Sequence, residues 1–146
     1  MREIINLAKN EMNLRCLEEE IKKYEQPGGF FDTYWTQSIE DAMYIKNSTY
    51  RLLGLKTDDH TWVKGSGGVG WSSKLVLLYA KIDSKELKKL ETLEIETRHR
   101  HNPALDKKHL WGFNKIGLEF IGENKVKAYW TNRSGEKGLE YELSLE

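Results

Sequence analysis

Beyond Leu55 the chain breaks into short apolar runs, rich in β-branched and aromatic residues, with turn-forming residues between them. HTWVK, KLVLLYAKI, LEIETRHRH, KIGLEF, KVKAYW and LEYELSL all suit strands. KIGLEFIGENKVKAYW folds back around Gly122, Glu123 and Asn124, and NRSGEKG turns into the last run, so these segments read as consecutive hairpins. Hairpins in series imply an antiparallel sheet. A short helix is expected within SKELKKL, capped by Asp83 or Ser84.

The first third carries a different period. Ile4, Leu7, Ala8, Leu17, Ile21 and Tyr24 recur at helical intervals with Lys and Glu between them, which predicts one long helix over residues 3–24. QPGG then stops it, because proline lacks the amide and glycine frees the backbone to turn. FFDTYWTQ follows, a short buried strand or a hydrophobic clamp. Ser38 with Asp41 resembles a capping box, and Ile39, Ala42, Met43, Tyr50 and Leu53 form a helical stripe ending near Gly54. A second helix is expected there, although Asn47, Ser48 and Thr49 weaken its middle. The helices precede most strands instead of alternating with them. The expected fold is therefore α+β: two N-terminal helices packed on one mainly antiparallel sheet of about five or six strands, built by the C-terminal two-thirds, all in a single domain over residues 1–146.

Composition narrows the function classes. The 146 residues are 38% hydrophobic and 32% charged, with 23 Lys+Arg against 23 Asp+Glu, so bulk attraction to nucleic acid or an anionic membrane is not expected. Any such attraction is local. Arg98, Arg100, Lys107 and Lys108 cluster around Asp106, whereas the last strand carries Glu140, Glu142 and Glu146. Cys16 is the only cysteine, which excludes an internal disulfide and a cysteine-based zinc site and suits a packing role in a reducing compartment. The acids and lysines of the first segment do not fit a signal peptide, and no apolar run approaches the ~20 residues of a membrane span. The chain reads as cytoplasmic, with no membrane partner.

Two stretches carry candidate chemistry. GSGGVGWSSK places four glycines within six residues, followed by Trp71 and Lys74. Gly65, Gly67 and Gly70 match the dinucleotide-binding spacing, but that fingerprint needs a helix leaving the glycines, and the outgoing KLVLLYAKI is strand-like. The phosphate-binding P-loop fails too, since Trp71 stands where it requires lysine. What remains is a hairpin loop whose amides form an anion-binding nest, flanked by Lys64 and Lys74, with Trp71 as a stacking surface. In LEIETRHRH, alternation puts Thr97, His99 and His101 on one face and Arg98 and Arg100 on the other. A histidine pair at the end of an apolar face suits hydrogen bonding to phosphate, or acid and base roles in phosphodiester cleavage. Metal binding would need a third ligand, for which His60, His109 and Asp106 are available without evidence of proximity.

These features give three expectations. The leading one is a small binding domain for a phosphate-bearing ligand, a nucleotide or short nucleic acid, held by Lys64, Gly65, Gly67, Gly68, Gly70, Trp71, Lys74, Arg98, Arg100 and Trp111. The second is a metal-independent phosphodiesterase or nuclease with His99, His101 and His60 as catalytic residues. The third is a protein-binding inhibitor or immunity-like module that uses exposed aromatics and the acidic last strand. None of the three calls for a metal or cofactor.

Overall fold

The computed structural model describes residues 1–30, 33–63, 68–91, 96–98, 115–131 and 137–146. The N-terminal segment forms two helices in place of the expected single one: α1, Arg2–Met12, and α2, Arg15–Lys22. Asn13 separates them in the left-handed conformation (φ 51°), which asparagine tolerates, and its N–H donates to the Lys9 carbonyl to close α1. Ile5, Ala8 and Met12 form the buried stripe of α1, and Leu17 and Ile21 that of α2.

The remaining described elements are strands: β1 (Pro27–Phe30), β2 (Thr33–Lys46), β3 (Tyr50–Val63), β4 (Gly68–Lys81), β5 (Lys88–Glu91), β6 (Glu96–Arg98), β7 (Lys115–Phe120), β8 (Lys125–Thr131) and β9 (Lys137–Ser144). They make two sheets, both antiparallel. One has the order β1-β2-β3-β4-β5, with β6 also paired to β4, and the other has the order β7-β8-β9. The expectation of two helices on one sheet is thus corrected twice.

First, the stripe assigned to a second helix belongs to β2 and β3, joined by a turn in which the Asn47 side-chain oxygen accepts from the Thr49 and Tyr50 amides. The helical spacing had a local cause. Between Ile39 and Asp41 the β2–β3 ladder shifts register, so Ile39 and Ala42, three residues apart, both face the helices. Ser38 does not cap a helix; its hydroxyl donates to Glu40, and the Asp41 carboxylate accepts the Ile116 amide at 2.8 Å, tying β7 to the irregularity. SKELKKL likewise contains β5 and no helix, with the Ser84 hydroxyl accepting the Glu86 amide before the strand begins.

Second, the strands divide into layers, and the larger sheet is packed on both faces. Leu53, Leu55, Val76, Leu78 and Ala80 meet α1 and α2. Leu52, Leu75, Leu77 and Tyr79 meet Ile116, Leu118, Val126 and Ala128 of the second sheet. Two-sided burial explains why KLVLLYA is continuously apolar where a half-exposed strand would alternate. At Gly54 the sheets approach closely, because a Cβ there would lie 2.6 Å from Leu118 Cδ1. Cys16, expected to pack, is exposed. No helix among the described residues is long and apolar enough to cross a membrane.

Candidate functional site

β3 and β4 each run for 14 residues, and their pairing continues from Tyr50↔Lys81 to Val63↔Gly68. Residues 64–67 therefore connect two antiparallel strands. At this tip of the β3–β4 ladder, Gly68 and Gly70 lie inside β4, so a strand stands where a dinucleotide fingerprint or P-loop would require a helix.

Near this tip the ladder unites residues far apart in sequence. His60 of β3 is the register partner of Trp71 of β4, and Trp71 is in turn the partner of Arg98 of β6. Thr36 of β2 pairs with His60 and extends the same row. Two rows nearer the middle of the sheet, Ser38, Asp58, Ser73 and Glu96 stand in line. Of the expected site residues, the structure thus aligns His60, Trp71 and Arg98 and sets Gly68 and Gly70 on the same strand as Trp71. Lys64, Gly65, Gly67, His99, Arg100, His101 and Trp111 lie outside the described residues, as do His109 and Asp106.

Beside the row is a polar group that composition and spacing did not single out. Lys56, Asp58 and Ser73 are 5%, 7% and 2% exposed, in strands whose other buried residues are mostly apolar. The Ser73 hydroxyl donates to Asp58 Oδ1 at 2.5 Å, a charge-assisted bond across the ladder. Lys56 Nζ lies 3.6 Å from the same oxygen. Lys56 and Asp58, two residues apart on one strand, share a face, and Ser73 meets them from the neighbouring strand. The sequence signal was the two-residue spacing of charge in LKTDDHTW, legible only once that segment is known to be a buried strand.

Lys74 has a different setting. As the next residue after Ser73 it turns to the helix side of the sheet, where its ammonium lies 5.9 Å from the centre of the Tyr24 ring and 3.8 Å from Glu91. There it joins a clamp between α2 and β5. Lys89 lies 3.2 Å from both Glu20 and Glu91, Lys23 lies 2.8 Å from Glu20, and the Tyr24 hydroxyl reaches Glu91 at 3.3 Å and Glu20 at 3.4 Å. Burial pushes the Tyr24 phenol up to about 12, with the two carboxylates adding to the effect and Lys89 opposing it. For Glu20, burial would raise the carboxyl, but hydrogen bonds from Lys23 and Lys89 outweigh it and hold the group below its ordinary value. Glu91 behaves likewise: burial is outweighed by the hydrogen bond from Lys89 and the charge of Lys74. A phenol made harder to ionise and carboxylates made harder to protonate suit a structural tie between layers, not proton transfer near neutrality.

No cluster of three or more His, Cys, Asp or Glu able to hold a metal occurs among the described residues. A surface cleft of about 540 Å³ lies beyond the other end of β4, lined by Asn13, Leu14, Arg15, Cys16 and Lys85. It shares no residue with the row of His60, Trp71 and Arg98. No family model, no curated protein and no solved structure matches this chain.

Proposed function

We propose that the protein is a binding module for a phosphate-bearing ligand, a nucleotide or short nucleic acid, taken at the glycine-hairpin end of the larger sheet. The observation that carries this reading is the shared row of His60, Trp71 and Arg98 across three strands. An arginine, an aromatic ring and an imidazole in one row are the groups such a ligand needs: charge for the phosphate, a face for the base, and a hydrogen-bond donor. The neighbouring hairpin contributes glycines, which admit a ligand close to the backbone. Lys74 stays out of this reading, because it is engaged with Tyr24 and Glu91.

A thermal-shift screen with nucleotides, cyclic dinucleotides and short single-stranded oligonucleotides tests it. Binding to the native state stabilises by about 2.7 kcal/mol when ligand is at 100 times its Kd, so a true ligand raises the melting temperature with the logarithm of its concentration. Trp71→Ala is expected to weaken binding roughly tenfold or more, from the ~1–3 kcal/mol of a base stacked on an aromatic ring. Arg98→Ala is expected to do the same and to reduce the salt dependence. An unchanged melting temperature with every phosphate-bearing probe would overturn the reading.

A further inference from the structure

We propose that Asp58 and Ser73, with Lys56 beside them, are positioning residues that fix the register of β3 against β4 and so bring His60 opposite Trp71. The functional meaning of this role rests on the binding reading above; the register itself does not.

Two devices normally set a hairpin's register, the turn and the alternation of buried and exposed faces. Both are weak here. Residues 64–67 lie outside the described residues, and their sequence, with Gly65 and Gly67 leading to Gly68 and Gly70, does not by itself select one turn type. Alternation is lost in the apolar stretch, since residues 52–55 of β3 and 75–80 of β4 are buried on both faces of the sheet. A slide of two residues keeps each side chain on its own face and sets most of the apolar residues against apolar residues.

The polar group does not tolerate that slide. In the observed register Asp58 faces Ser73 and takes its hydroxyl proton donor at 2.5 Å. Sliding by two residues sets Asp58 opposite Leu75 in one direction or Trp71 in the other, which removes the donor from a carboxylate that is 7% exposed. His60 would then stand opposite Ser73 or Val69 instead of Trp71, and the row would be dismantled. A buried polar contact across a ladder adds little stability over well-packed apolar residues, and fixing one register among several is its best-attested use. Lys56, on the same strand as Asp58, keeps its place beside the carboxylate in any register, so it is the Asp58–Ser73 pair that serves uniqueness, in the strands where the apolar pattern leaves it open.

Backbone NMR on the full chain tests this without any ligand. In the wild type, residue 58 lies opposite residue 38 of β2 and, among the residues of β4, opposite residue 73. In the triple variant Lys56→Met, Asp58→Leu, Ser73→Ala, the expected result is a folded protein with a second set of amide resonances over β3 and β4, and contacts from residue 58 to 71 or 75. A single set with only the 58-to-73 contact across to β4 would overturn the proposal. Should the triple variant fail to fold, Ser73→Ala alone is read the same way, a minor second set being expected and its absence being contradictory. The exchange Asp58→Ser with Ser73→Asp keeps the donor–carboxylate pair across the ladder and is expected to give one register; two sets there would also overturn the proposal. Because no ligand is present, failure of this test and failure of the binding screen are separate results.

Discussion

Where residues 50–55 of β3 meet residues 76–81 of β4, the hairpin is covered by helices on one face and by the three-stranded sheet on the other. Farther along the same two strands, the ladder passes Lys56, Thr57, Asp58 and Ser73 and then aligns His60 with Trp71. The first half gains stability from apolar area and specifies register poorly; the second gives up apolar area and specifies register well. The two halves of one continuous hairpin thus differ, one holding the fold and the other aligning the row proposed as a site, and they should respond differently to substitution.

The largest effect is expected in the apolar half. Leu53 is fully buried against the helices, and Leu53→Ala should cost about 2–5 kcal/mol in urea denaturation through lost transfer energy and a residual cavity. A cost below about 1 kcal/mol would mean that stability resides elsewhere. Gly54→Ala comes next, because its methyl would enter the space of Leu118 and Ile116, both in the second sheet's core. Overpacking there should destabilise by about 1–3 kcal/mol, and a neutral result would show that the Leu118 and Ile116 side chains can move aside.

In the polar half the sign reverses. The Thr57 hydroxyl is buried and has no hydrogen-bond partner among the described residues, so Thr57→Val should stabilise the protein by about 1 kcal/mol. A loss of stability would reveal a partner for that oxygen. The clamp of Tyr24, Lys89, Glu20 and Glu91 has the smallest effect at neutral pH. Its Glu20 and Glu91 carboxyls lie below the ordinary value of 4.5, so their contribution is present above that pH and is lost as pH falls through their lowered values. Tyr24 acts at the other extreme: its contribution is complete below 10 and is lost as pH rises through about 12. Tyr24→Phe should therefore flatten the alkaline limb of the stability profile and leave the acid limb in place.

The same contrast explains what the sequence disclosed. The β7–β8 hairpin was legible because Gly122, Glu123 and Asn124 interrupt two apolar runs, and its observed strands match the expected ones closely. The N-terminal stripe was legible as helical, but the break at Asn13 depends on one left-handed residue within an otherwise helical composition. β2 was misread because its register shift put Ile39 and Ala42 on one face three residues apart, which imitates a helical turn. The signal against a helix was the Asn47, Ser48, Thr49 cluster, noted as weakening its middle, which in fact makes a turn. The second layer was hinted at by KLVLLYA, whose lack of alternation means that both faces are covered. His60 and Arg98 could not be brought together from sequence, since only strand pairing across residues 60, 71 and 98 unites them.

Backbone amide shifts, followed while ATP or a short single-stranded DNA oligonucleotide is added, test the proposed site most directly. The account predicts changes concentrated at residues 58–63, 68–73 and 96–98, with residues 50–55 and 76–81 little affected. Changes centred on the cleft around Arg15, Cys16 and Lys85, or no change with either probe at millimolar concentration, would contradict it.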